Sequence, residues 1–503
     1  MSVRRTAWVT ILLLAVGLAY AFIVSAGTFS TWPTYSNYYD LLGQGFRAGR
    51  LDIPISPSPR LMAAPDPFDF SLAPLWVWDA SLHDGRYFLY WGPLPALLEA
   101  VVKAVFGISR TLGDQYLLFA FALLEVGFGG LLIQRLARRL FPEVPAFLVG
   151  LALFVFAFSN PLPHSLASPA IYQAAILGGQ AFLLGGVLFA FDAVAAGPSA
   201  AGLGRKLILS GLFWALALAC RISIAPAVLC LVAATAVTVI APGPDRARRT
   251  ISGALRLALP IAVVTGLLLL YNEQRFGSWL DFGVAKQLTT MPYHASASYV
   301  PLNLVSYALR PFHLSCEFPY VLQIPDIGGG GFPAWMRIAP GYTTKEPVVG
   351  ILWAVPWSWL APVGMIVAPW FVRRAARVSA APDPAARVLL WCAATFAILG
   401  VVTGLPGLVS FIATMRYLGD VTPGIVLSGI LGAWWLHSRT SPGTGSRRLV
   451  TGMCASLGLV TVLIGLLLGF QGYSGHFRVH NPGLHDRLVR ALSLCGPTTR
   501  VAR

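Results

Sequence analysis

Apolar runs of about 20 residues recur from one end of this chain to the other, and a helix of that length crosses the hydrocarbon core of a bilayer. Backbone inside lipid must satisfy its own hydrogen bonds, so such runs fold as helices. Of 503 residues, 56% are hydrophobic and 11% charged, against about a quarter charged in a soluble domain. The sequence therefore predicts an all-α polytopic membrane protein, a single transmembrane domain over residues 1–503. About eleven spans are expected, at 8–25, 116–134, 144–159, 172–191, 207–219, 224–240, 257–271, 348–372, 388–400, 421–436 and 449–470. The first run is too long for a signal peptide and lacks a small-residue cleavage site, so it reads as a retained span.

A net formal charge of +16 raises nucleic acid as a partner, but the placement of the charge excludes it. With odd-numbered spans running inside to outside, the inner segments hold 18 of the 36 basic residues and 4 of the 20 acidic ones, a net +14. The rest of the chain carries 18 basic and 16 acidic residues, a net +2. Retention of Lys and Arg on the cytoplasmic side accounts for that asymmetry. The Ala-, Arg- and Gly-rich composition suggests a GC-rich bacterial genome. A bacterial inner membrane with a cytoplasmic N-terminus and a periplasmic outer face is expected.

All sizeable non-membrane mass falls outside: a first loop at 26–115, a second at 272–347 and a tail at 471–503. The stretch "GPLPALLEAVVKAVFGIS" carries Glu99 and Lys103 and spans only about four turns. Counting it as a span would put "QRLARRLF" outside, against the charge rule, so it reads as a helix lying at the outer interface. "YYDLLGQGFRAG" reads as a second one, and the Pro- and Asp-rich loop between them cannot be regular helix. Cys316 and Cys495 both fall outside, where a disulfide persists, although spacing alone does not establish the pairing. The remaining cysteines lie in or near spans as packing residues.

Ionisable and aromatic residues gather in the outer loops. Asp40 follows the first span. Trp76, Trp78, Asp79, Arg86, Tyr90 and Trp91 fall in one stretch around an Asp84-Gly85 turn. Glu273, Arg275, Asp281 and Lys286 follow the seventh span, either as site groups or as a solvated loop with internal pairs. Arg416 and Asp420 precede the tenth, four apart, the spacing of a local helical pair. Arg221 stands at an outer turn, where snorkelling to head groups is the alternative. Glu125 sits within a span and needs an interhelix partner. No phosphate loop, nucleophile–base signature or metal spacing is present.

At these residues the chain resembles the GT-C superfamily of membrane glycosyltransferases, in particular bacterial members related to aminoarabinose transferase and protein O-mannosyltransferase of family 39. An acid opening an interfacial helix (Asp40), the "WGPLPALLEAVVKAVFG" helix, the "IQRLARRLFPE" span end and "YNEQRFGSWLDFG" carry the resemblance. It implies a GT-C-like fold and inverting transfer of a sugar from a polyprenyl-phosphate donor to a lipid, glycan or protein acceptor. The acceptor needs a general base, for which Asp40 is the first choice and Asp79 the second. The leaving phosphate needs fixed cations: Arg221, Arg275, Lys286 and Arg416. Trp78, Tyr90, Asp281 and Asp420 are expected at the sugar or acceptor. Members often have an Asp-Glu pair where this chain has Asp40-Leu41, so no metal and no cofactor are expected. The rival classes are a transporter or flippase for a lipid-linked sugar, which favours midplane charges and internal symmetry, and an inactive assembly subunit.

Overall fold

The computed structural model describes residues 3–197, 200–239, 246–323, 331–376, 383–473 and 475–495. The side chains of Arg4, Arg5, Asp245, Arg246, Arg249 and Arg377, all assigned to the inner face, lie outside the described residues. The helices that position the site are α1 (Val3–Val24), α2 (Tyr38–Arg47), α3 (Leu94–Phe106), α4 (Asp114–Leu140), α5 (Ala146–Phe158), α6 (Ile171–Ala196), α7 (Leu203–Cys220), α8 (Ala225–Val239), α9 (Arg246–Phe276), α10 (Pro384–Val401), α11 (Leu418–Ser438), α12 (Gly445–Gln471) and α13 (Pro482–Leu492).

The chain is all-α and polytopic, as its hydropathy predicts. Seven described helices are long and apolar enough to cross a membrane, and Thr10–Val24 and Ala146–Phe158 are shorter apolar helices. The two other expected spans differ in kind. Residues 418–438 form a mostly buried helix carrying Asp420 and His437. Residues 348–372 are not one helix but a turn at Ile351–Ala354, a 3-10 turn at Pro356–Leu360, a π turn at Val363–Val367 and helix from Ala368. The run breaks at Val355, whose φ of −136° and ψ of 75° are not helical, just before Pro356, which disfavours a helical conformation in the residue preceding it.

Helix α6 is largely apolar all round and buried along most of its length, the pattern of a helix enclosed by others. In contrast α9 exposes Leu255, Leu259, Val263 and Leu267 at four-residue spacing, one apolar stripe turned away from the bundle. At the face predicted to be inner, Arg135 pairs with Asp192 and Lys206 donates to the Asp192 carbonyl at 3.3 Å. These contacts tie together the last turns of α4 and α6 and the first turn of α7.

Helices form at both stretches read as interfacial, α2 and α3. α3 exposes Leu97, Val101, Val105 and Phe106 on one face. Its other face packs on α2, where Leu42 and Gly45 are buried. At the far end of the chain, Cys316 and Cys495 form a disulfide. It ties the segment after α13 to the second outer loop, and Leu494 N–H donates to the Cys316 carbonyl at 2.8 Å.

Candidate active site

The first outer loop enters the site through a hairpin, β1 (Ser81–His83) against β2 (Arg86–Phe88), with His83 opposite Arg86. Asp84 and Gly85 between them have φ of 47° and 69°, the positive values a type I′ turn requires and an Asp-Gly pair supplies. The second outer loop docks on this hairpin through a bridge between Ser81 and Gln287. Asp79 N–H donates to the Leu288 carbonyl, and Leu288 N–H to that of Ala80, both at 2.9 Å. Two segments about 200 residues apart in sequence thus hold Asp79 and Gln287 side by side, and Gln287 Nε2 donates to Asp79 Oδ1 at 2.6 Å. Asp79 itself has φ 60°, a left-handed conformation that Asp and Asn tolerate better than other side chains.

These segments close over a cavity of about 530 Å³, lined by Asp79, Tyr172, Arg221, Arg275, Glu346 and Arg416 among others. Arg221 caps the C-terminus of α7, and its Nη2 lies 2.8 Å from Asp420 Oδ2. Arg275, in the last turn of α9, donates to the Leu89 carbonyl at 2.5 Å and to Asn272 Oδ1 at 2.7 Å. Its guanidinium lies 3.8 Å from the Tyr271 ring centroid, a cation–π contact. Arg416, in a 3-10 turn before α11, takes both Glu346 oxygens on Nη1, at 3.0 and 2.9 Å. Burial lifts the Asp79 carboxyl above its ordinary value, opposed by the Gln287 hydrogen bond and nearby Arg416 and reinforced by Glu346. Tyr90 and Trp91 stack with ring centroids 3.9 Å apart on the cavity wall, and Trp78 lines it half-exposed.

Of the ten residues selected from the sequence, six meet at this cavity: Asp79, Trp78, Tyr90, Arg221, Arg275 and Arg416. Four do not line it. Asp40 is buried between α2 and α3, paired with Lys103 and accepting from Gln44 Nε2 at 2.7 Å. The helical register that opens α2 with an acid turns that acid into the α2–α3 contact. Lys286 and Asp281 pair with one another, as expected of a charged loop with internal pairs. Asp420 sits behind Arg221 and also accepts from Gln180 Nε2 at 3.4 Å. The local Arg416–Asp420 pair does not form, because each finds a partner from a distant segment. Glu125 is buried as expected, yet its Oε2 has no hydrogen-bond partner among the described residues.

Glu346, Gln287, Tyr172 and Tyr417 line the cavity but did not stand out in the sequence. Glu346 is the one acid in "TTKEPVV", and nothing there announces a partner 70 residues on. A parallel bridge between Thr343 and Ile412 brings Glu346 alongside Arg416.

Gly92 fixes the wall beside Arg221. A Cβ there would lie 2.0 Å from the Ala219 carbonyl oxygen and 2.7 Å from the Cys220 carbonyl carbon. That neighbour is backbone and cannot swing aside. Gly92→Ala is expected to cost about 1–3 kcal/mol, the scale of overpacking, and to displace Arg221. Thermal unfolding read with transfer activity checks it, and an unchanged variant would contradict the close packing.

No protein-family model matches the chain, and no curated protein matches it. Solved structures similar to it exist. AglB, an oligosaccharyltransferase from Archaeoglobus fulgidus in complex with an inhibitory peptide and a dolichol-phosphate, shares 10% identity. That match covers 93% of this chain and 56% of AglB, with a TM-score of 0.44. ArnT from Cupriavidus metallidurans in the apo state shares 12%, over 96% of this chain and 80% of ArnT, with a TM-score of 0.45. ArnT bound to undecaprenyl phosphate gives the same identity and coverage and a TM-score of 0.40. The chain spans little more than half the length of the archaeal enzyme.

Proposed function

We propose that this chain is an inverting glycosyltransferase, moving a sugar from a polyprenyl-phosphate donor to a periplasmic lipid, glycan or protein acceptor. One observation carries the reading. A partly buried carboxylate, Asp79, and three guanidinium groups, Arg221, Arg275 and Arg416, border a single cavity under the loops at 26–115 and 272–347. Asp79 accepts the acceptor's proton as its oxygen attacks the anomeric carbon. The bond from that carbon to phosphate oxygen breaks, and polyprenyl phosphate departs with the electron pair. Arg416 and Arg221 meet the charge that grows on the phosphate, and a planar guanidinium matches its oxygens. Trp78 and Tyr90 offer ring faces to the sugar, and holding donor and acceptor at one interface supplies orientation.

The test is purified protein in nanodiscs with a polyprenyl-phosphate sugar. Polyprenyl phosphate should be released only when acceptor is added. Flux of intact donor across proteoliposomes without covalent change would instead make it a transporter. The same reading places the loops in the periplasm of a bacterial inner membrane. Intact cells treated with a reductant should then expose Cys316 and Cys495 to a membrane-impermeant thiol reagent. Labelling only after permeabilisation would reverse the orientation.

A further inference from the structure

Two of the three guanidinium groups that border the cavity already have carboxylate partners. Arg221 is already paired with Asp420 and Arg416 with Glu346. The two acids are not equivalent. Asp420 lies behind the wall on the first turn of α11, buried and held also by Gln180. Glu346 lines the cavity itself and comes from a loop. That loop is strapped down by the Thr343–Ile412 bridge, with Thr343 N–H donating to the Phe411 carbonyl at 2.9 Å. Both Glu346 oxygens share one nitrogen of Arg416. A forked contact across two nitrogens is the stronger arrangement. Arg416 meanwhile is held from the side by the rings of Tyr172 and Tyr417, 4.9 and 5.6 Å from its guanidinium carbon, so the cation stays in place if the carboxylate leaves.

We propose that Glu346 is a resident anion that occupies the Arg416 subsite and is displaced by the phosphodiester headgroup of the donor, and again excluded by the monoester product until it leaves. This rests on the reading of the cavity as a phosphate-lipid site. A phosphate diester or monoester presents oxygens to both terminal nitrogens at once, whereas Glu346 as placed uses one. Its return after transfer competes with the product phosphate for the same guanidinium and speeds product release. Glu346 also spares the partly buried Arg416 an unpaired charge, which is costly in a low-dielectric site.

The experiment measures binding of a polyprenyl monophosphate, and separately of inorganic phosphate, to the full-length protein in nanodiscs. Glu346→Gln keeps the shape and removes the competing charge. It should bind the lipid at least tenfold more tightly, about 1.4 kcal/mol, and be inhibited by product at correspondingly lower concentration. Glu346→Asp, which keeps the charge and shortens the reach, should change both in the same direction but less, and guards against a misfolded amide variant. Tightening of the lipid alone assigns the subsite to the headgroup, and tightening of both probes assigns it to any phosphate; either supports the displacement. If wild type binds the lipid and Glu346→Gln binds it no more tightly, the displacement is overturned while the transferase reading stands. If neither protein binds the lipid, both readings fall together.

Discussion

Asp79→Asn removes sugar transfer by about 10²–10⁴-fold, the range attributed to a positioned general base, while the protein folds and still binds polyprenyl phosphate. Asparagine is the informative replacement because it shares the tolerance of aspartate for a left-handed backbone, and Asp79 has φ 60°. Alanine there adds about 1–2 kcal/mol of backbone strain and confuses a chemical loss with a folding one. The pH dependence gives a second readout. A base must be ionised to act, and burial favours the neutral form of Asp79 over its ordinary value of 3.8. Transfer should therefore rise with pH along a limb whose midpoint lies above that value. Gln287→Leu, which removes the hydrogen bond that opposes the shift, should move the limb further toward high pH. Wild-type rates in Asp79→Asn, or a limb that Gln287→Leu leaves in place, would remove Asp79 from the base role.

Lys103→Met should be the most destabilising single change, by about 3–5 kcal/mol, the cost of leaving one member of a buried ion pair without its partner. Lys103 and Asp40 are paired in the α2–α3 contact with almost no exposure. Glu99 lies beside them, both oxygens buried without hydrogen-bond partners among the described residues, its carboxyl pushed up to about 8 by burial and then by Asp40 and Asp114, with Lys103 opposing. Removing the ammonium leaves two carboxyls and no cation in one apolar contact. The double variant Asp40→Leu/Lys103→Met replaces the pair with apolar groups of similar reach, an exchange often neutral or stabilising, and should recover most of the loss. Its activity separates two roles for Asp40. A refolded double variant that transfers sugar makes Asp40 a clamp between the two interfacial helices. A refolded but inactive one restores it as the base that the sequence pattern suggests.

The contrast between Asp40 and Asp79 shows where sequence reading stops. Asp40 was preferred because it follows the first span and opens a helix, both local properties. Asp79 lies at the cavity because the segment around residue 287 bridges to the hairpin beside it, and no local pattern records that. The Asp84-Gly85 turn was legible because its chemistry lies within four residues. The Cys316–Cys495 disulfide was legible only as two cysteines on the same face.

Hydropathy and the length of the apolar runs determined by themselves that this chain is a helical, multi-pass membrane protein. These are one-dimensional quantities, summed along the chain and answered by the bilayer. The pairing of Arg416 with Glu346, Arg221 with Asp420, and Asp40 with Lys103 was decided only by the tertiary structure. A buried charge takes whichever opposite charge the packing delivers within reach, and helix packing joins segments that spacing along the sequence cannot relate.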